Sequence, residues 1–124
     1  MTKTKMILPE IVIERDILVY LNSLPHSFFW KNPTVGIYDE SIKAYRKSPD
    51  PYQIRGVSDI IGIIQGVVFF FEVKNSRGHE SPQQIGFRKK INKLGGNCFV
   101  VRSEDEVREI LEEYELIPPN FISS

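Results

Sequence analysis

The sequence predicts an α/β protein with a mixed central sheet, and three observations carry that expectation. An amphipathic helical segment opens the chain, an apolar run broken at Gln65-Gly66 has the form of an antiparallel hairpin, and a capped helix joins that hairpin to a further apolar strand. A strand, helix, strand succession implies parallel pairing and a right-handed crossover, so the sheet holds both strand senses. The full order is helix, two or more strands, hairpin, helix, strand, helix, which packs as an α/β sandwich.

Taken in order, Pro9 to Leu24 forms the first helix, with Pro9 near its first turn and Ile13, Ile17, Tyr20, Leu21 and Leu24 recurring at helical spacing. Ser27 to Lys31 and Val35 to Tyr38 form a strand or a bent hairpin, separated by Asn32-Pro33-Thr34. Asp39 to Arg55 is polar and contains proline. It is expected as a loop or short helix, either a substrate-contacting insertion or a solvated excursion without a role. Ile60 to Ile64 and Val67 to Phe71 are the hairpin strands, rich in β-branched and aromatic residues. Asn75 to Glu80 is a polar loop. A helix then opens at Ser81-Pro82, carries Ile85, Phe87, Ile91 and Leu94, and closes at Gly95-Gly96. Asn97 to Val101 is a short buried strand. Ser103, with Glu106 three residues on, makes a capping box for a last helix through about Tyr114, and Pro118-Pro119 ends regular structure.

At 124 residues the chain is expected to be one domain, spanning 1–124 with its core at about 10–114. With 41% hydrophobic and 26% charged residues, composition is that of a globular protein, and no apolar run has transmembrane length. Met1 to Lys5 lead into a helical pattern bearing Glu10, Glu14 and Asp16 rather than a signal segment. The single cysteine, Cys98, rules out an internal disulfide framework and points to a reducing, cytoplasmic setting, or a host cytoplasm for a viral chain. Sixteen basic and sixteen acidic residues cancel. Any nucleic-acid surface must therefore arise by segregation of charge.

The chemistry concentrates on the hairpin. Gly56-Val57-Ser58-Asp59 precedes its first strand, and Phe71-Glu72-Val73-Lys74 ends its second, so three charged groups sit in an apolar segment. With Gln65-Gly66 as a two-residue turn, Ile64 faces Val67, Asp59 falls opposite Glu72, and Lys74 lies on the same face. Opposed carboxylates repel and call for a cation between them. Oxygen ligands without His or Cys select a hard ion, Mg²⁺ or Mn²⁺, over Zn²⁺. Glutamine is a poor residue at a turn position of positive φ, so a bulged turn at Gly66 would shift the register by one and separate the carboxylates. The plain alternative is a surface hairpin end with an ordinary Glu–Lys pair.

Three other features compete with bland explanations. Glu14 interrupts the apolar face of Ile17, Leu18 and Leu21, either as a third site carboxylate or as a first-turn acid favoured by the helix dipole. Gln84 is either the far arm of a capping box from Ser81 or an amide that orients water or phosphate. Arg88, Lys89, Lys90 and Lys93 form a dense basic cluster, by default a solvated helix end. With Lys31, Lys43, Arg46, Lys47 and Arg77 the cluster can instead follow a phosphate backbone. His26 and His79 lack ligand spacing or a nucleophile partner. No glycine-rich loop follows a strand in the manner of a nucleotide fold, so no nucleotide cofactor is expected.

Glu14 in the first helix, the G-V-S-D segment ending at Asp59, E-V-K at Glu72 to Lys74, and S-P-Q-Q reaching Gln84 occur in one order along the chain. In this the chain resembles the VRR-NUC family of the PD-(D/E)XK nuclease superfamily, from roughly Glu10 to Leu111. The resemblance implies a restriction-endonuclease-like αβββαβ core and a Mg²⁺-dependent endodeoxyribonuclease, a hydrolase whose products carry 5′-phosphate and 3′-hydroxyl ends. Asp59 and Glu72 would ligate the metal, with Glu14 as a direct or water-mediated ligand and the Val73 carbonyl as another oxygen. Lys74 would position the attacking water or stabilise the transition state, and Gln84 would hold Lys74, water or phosphate. Ser58 stands where many relatives have proline, and Asp39 to Arg55 is longer than in compact members.

Compact stand-alone members are similar to Holliday junction resolvases, which implies a homodimer acting on branched DNA. A dimer surface around Phe28, Phe29 and Trp30 is one reading of those aromatics; burial in the core is the other. Two functions compete with junction cleavage: a catalytically silent DNA-docking module, and a nicking or restriction-like nuclease reading DNA through Asp39 to Arg55.

Overall fold

The computed structural model describes residues 6–33, 37–41, 43–46, 52, 54 and 56–119. Its elements run α1 (Glu10–Ser23), β1 (Ser27–Lys31), β2 (Ile37–Asp39), β3 (Ala44–Arg46), β4 (Ile60–Ile64), β5 (Val67–Val73), α2 (Pro82–Lys93), β6 (Cys98–Val101) and α3 (Glu104–Glu113). Four strands form a mixed sheet in the order β1-β4-β5-β6, and β2 and β3 form a separate two-stranded antiparallel sheet. The class is α/β, with a four-stranded mixed sheet and three helices.

The hairpin register is the one the sequence predicts. Ile64 faces Val67 and Ile60 faces Phe71, antiparallel. The turn is the two-residue kind after all, with Gln65 at φ 49° and Gly66 at φ 83°. That left-handed pair matches the twist of a tight hairpin. Gln65 is held there from outside: its N–H donates to His26 O (2.9 Å) and its side chain to Leu116 O (2.8 Å). β5 runs two residues beyond Phe71, so Glu72 and Val73 are strand residues, and β5 pairs with β6 in parallel as the βαβ reading requires.

Two expectations change. Ile37 and Tyr38 do not pair back onto Ser27–Lys31 but onto β3, while Val35 and Gly36 lie outside the described residues; β1 instead takes the sheet edge beside β4, with Phe29 opposite Gly62. Part of the expected loop at Asp39–Arg55 is strand, because Asp39 pairs with Ala44 and Ile37 with Arg46 across a turn. Alternating Ile37-Tyr38 and Ala44-Tyr45 supply β-forming residues on either side of that turn, a local signal that the overall polarity of the segment hides.

Strand alternation sends one set of side chains to a core and the other to α2. Phe69, Phe71 and Val73 of β5 meet Ile60 and Ile64 of β4 and Phe29 of β1, over which Ile13, Ile17 and Leu21 of α1 and Val107 and Leu111 of α3 close. Phe69 and Phe71 stack at 5.4 Å between centroids. Each such side chain removed from water contributes about 1.5–3 kcal/mol. On the opposite face Phe70 meets Phe87 of α2 edge to face, 5.8 Å apart.

At each edge of the main sheet a helix asparagine occupies the outward backbone of one strand residue. Asn22 of α1 brackets the outward backbone of Phe29, accepting its N–H (2.8 Å) and donating to its carbonyl (3.0 Å). Asn92 of α2 does the same for Cys98 on β6, at 2.8 and 2.9 Å. Edge groups so paired are not open to another strand. Ser81 caps α2 through the full capping box with Gln84. At α3, Ser103 Oγ accepts the Glu106 N–H, while the Glu106 carboxylate takes the N–H of Arg102 rather than that of Ser103.

Candidate active site

The carboxylates meet at the end of the sheet where β4 begins and β5 and β6 end. Ligands of α/β sheets commonly bind at the carboxyl ends of the parallel strands. Asp59 immediately precedes β4, and its carbonyl accepts the Asn32 N–H at 2.7 Å, which extends the β1–β4 ladder by one step. Its Oδ2 accepts the Val73 N–H at 2.8 Å. A continued ladder would offer that N–H to Ser58, so the aspartate side chain ends the hairpin pairing and is itself fixed by the backbone of β5.

Glycine positions this turn. Gly56 sits at φ 81°, and a Cβ there would lie 2.3 Å from the Gln83 carbonyl oxygen in the first turn of α2. Only a residue without a side chain lets the G-V-S-D segment press against that helix. Ser58 is buried, its Oγ 3.3 Å from Cys98 Sγ.

Glu72 has the least comfortable environment in the described structure. The residue is 1% exposed, and neither Oε1 nor Oε2 has a hydrogen-bond partner among the described residues. Its pKa is raised from 4.5 to about 8, first by burial and next by the neighbouring Glu80 carboxyl, against the Lys74 ammonium that lowers it; Asp59 adds a smaller push upward. The Glu72 and Glu80 carboxyls interact without the geometry of a formed hydrogen bond, and burial is the governing cause. Asp59 is also raised, first by burial, against the Val73 N–H that lowers it; Glu14 and Glu10 raise it and Lys74 lowers it.

Two site residues are not signalled by the sequence pattern. Glu80, at the end of the loop before α2, is gripped by Arg88: Nε lies 3.2 and 3.0 Å from its two oxygens and Nη2 2.8 Å from Oε1. Those bonds hold the Glu80 pKa below the usual range. The loop is pinned from β6 by Arg102, which donates to the carbonyls of Asn75 and Gly78 at 2.5 and 2.8 Å. Glu10 is the second: its Oε2 lies 2.9 Å from where a Gly78 Cβ would stand, beside the Lys74 side chain. Glu80 falls in a segment with loop composition, and Glu10 in a first helical turn, where acids are common for another reason.

The predicted residues divide accordingly. Asp59, Glu72, Lys74 and Glu14 share one electrostatic neighbourhood. Glu14 is 9% exposed and pairs with Lys31 at 3.1 Å, so Lys31 neutralises a site acid rather than standing free for phosphate. Arg88 is likewise committed to Glu80. Gln84 uses its Oε1 to accept the Ser81 N–H at 2.8 Å, the capping role. The Val73 N–H is engaged by Asp59. Lys43, Arg77 and Lys89 are exposed; the Arg46 side chain and Lys47 lie outside the described residues. Phe29 is core, and Phe28 and Trp30 are exposed.

Among the described residues no three Asp, Glu, His or Cys side chains converge closely enough to hold a metal ion. The donor chemistry nevertheless suits a hard cation: an orphaned buried carboxylate, a second carboxylate in its electrostatic neighbourhood, and oxygen atoms only. A cavity of about 400 Å³ lined by Tyr20, Ile64 and Arg108 lies at the other, hairpin-turn end of β4, remote from these acids. No family model and no curated protein matches this chain.

Proposed function

We propose that the protein is a metal-dependent DNA endonuclease that hydrolyses phosphodiester bonds at the Asp59–Glu72 end of the sheet. The observation that carries this reading is Glu72, a fully buried carboxylate with two unpartnered oxygens in the electrostatic neighbourhood of Asp59. Burying such a group without a partner costs several kcal/mol, on the order of an unmade charged hydrogen bond or more. A bound cation removes that penalty. The element order α1-β1-β4-β5-α2-β6 around a mixed sheet supports the restriction-endonuclease-like core that the resemblance implies.

Asp59 and Glu72 would hold the ion, with Glu14 and the Val73 carbonyl as the further oxygens. Mg²⁺ or Mn²⁺ bound there supplies the charge that polarises a phosphoryl group and acidifies water. Asp59 is oriented by the Val73 N–H, so its remaining oxygen is aimed without loss of side-chain freedom. Glu72 is kept rigid by burial in β5. Lys74, just past the strand, offers a positive charge that stabilises the added negative charge of the transition state. Arg88 restrains Glu80 and so limits how many negative charges face the phosphate.

Junction resolution requires two symmetric cuts and hence two copies of the site, so that version carries a homodimer with it. The competing reading is a DNA-docking module of the same fold that keeps the charges without cleavage. Cleavage of labelled four-way junction, flap, nicked, single-stranded and duplex DNA in Mg²⁺, Mn²⁺ or EDTA separates the two. Nuclease function predicts metal-dependent cutting that Glu72→Ala abolishes and Lys74→Ala lowers by at least about 100-fold. Binding without cutting by folded wild-type protein supports the docking module.

A further inference from the structure

The face of the sheet that carries Asp59 and Glu72 is only half covered. α2 lies over its β5–β6 side through Phe87 on Phe70, whereas on the β1–β4 side Phe28 is 64% exposed, Trp30 44% and Ile63 39%. Phe28 and Trp30 share this face because Phe29 between them enters the core, and their rings lie 5.7 Å apart, tilted by 51°. Register ties them to the acids. Trp30 faces Ile61, which faces Phe70; Glu72 follows Phe70 on the same face of β5, and Asp59 stands just before β4 beside that end of the strand. Rows of one face are about 7 Å apart, so the rows of Phe28, Trp30 and Glu72 succeed one another at even steps along the sheet.

Charge on the molecule is segregated about this face. α2, which borders it, carries Arg88, Lys89, Lys90 and Lys93 and no acid. α3, across the sheet, is acidic at six of its ten residues. A polyanion is drawn to the α2 side and repelled from the α3 side. Strand addition by a second copy is disfavoured where Asn22 and Asn92 already occupy the outward backbone of Phe29 and Cys98 at the two edges of the main sheet.

We propose that Phe28 and Trp30 form a stacking platform for unpaired bases of a single-stranded DNA segment, which leads the adjoining phosphodiester to the carboxylates. This rests on the nuclease reading and names its substrate class: DNA with unpaired nucleotides beside the cut. Aromatic side chains on a sheet face, exposed and flanked by cations, bind single strands because every base has a face to stack. Paired bases in a duplex have none free, so the platform discriminates against plain duplex.

The chain has one tryptophan, so Trp30 emission reports stacking directly. Titration with oligo(dT), and with duplex of equal length, in EDTA keeps the measurement independent of cleavage. Expected are saturable quenching by oligo(dT) but not by duplex, and affinity lowered about 5- to 100-fold in Phe28→Ala. Trp30→Phe, followed by the anisotropy of a labelled oligonucleotide, should retain binding because a ring remains. Binding of oligo(dT) without quenching, or unchanged affinity in Phe28→Ala, overturns the platform. So does a Phe28→Ala protein that changes from dimer to monomer with unchanged affinity, which would assign the face to a second copy. Quenching by a protein that cuts no substrate supports the platform and fails the nuclease reading; cutting without quenching does the reverse.

Discussion

Glu72 holds a proton more tightly in the folded protein than in the unfolded chain, where its pKa is near 4.5. Stability from this group is fully present below pH 4.5 and is lost as pH rises to about 8, at up to about 1.4 kcal/mol per pH unit. Glu72→Gln keeps shape and removes the titration. In EDTA the variant is expected to match the wild type at pH 4.5 and to exceed it by several kcal/mol at pH 9, measured by urea unfolding. Equal stability of the two proteins at pH 9 would contradict the buried, unpartnered state of this carboxylate. Saturating Mn²⁺ should reverse the order by stabilising the wild type alone. At this scale the sequence exposes Glu72 and Asp59 because charges in an apolar hairpin stand out. It hides the Glu80–Arg88 and Glu14–Lys31 pairs, whose partners lie on different elements and leave no local pattern.

α2 is the element whose first turn both supports and borders the site. Gly56 packs against Gln83, and the Gln84 amide completes the cap on Ser81. Gln84→Glu preserves the capping box and should leave both stability and cleavage near the wild-type level. Ser81→Ala removes the cap and should cost about 1 kcal/mol of unfolding free energy. A large loss of cleavage in a fully stable Gln84→Glu protein would return Gln84 to the chemistry. The Ser81 capping box, the Ser103 cap, the two-residue turn and the βαβ unit are legible in sequence because each is made by residues close together in the chain, though Glu106 takes the Arg102 N–H and leaves the box at Ser103 incomplete. The β2–β3 pair is legible only in part: Ile37-Tyr38 reads as strand, but Asp39 to Arg55 is dominated by charge and proline that mask its three-residue partner β3.

For the whole molecule, a formal charge of zero conceals a basic α2 opposite an acidic α3. Affinity for single-stranded DNA should fall with salt, and Lys89→Glu with Lys90→Glu should flatten the slope of log K against log salt by about 1.4. An unchanged slope would place the phosphate track elsewhere. The α/β class and the β4-β5-β6 part of the mixed sheet follow from local patterns plus the parallel-pairing rule, whereas the place of β1 beside β4 does not. The split of Phe28, Phe29 and Trp30 between surface and core does not, since alternation fixes that they divide but not which side is covered. No helix among the described residues is long and apolar enough to cross a membrane. The central claim is that Asp59 and Glu72 hold a divalent cation, and calorimetric titration of Mn²⁺ into wild type, Glu72→Gln and Asp59→Asn tests it most directly. One saturable site is predicted in the wild type, tighter as pH rises toward about 8 and lost in both variants. Absence of Mn²⁺ binding by the wild type, or equal binding by Glu72→Gln, would contradict the account.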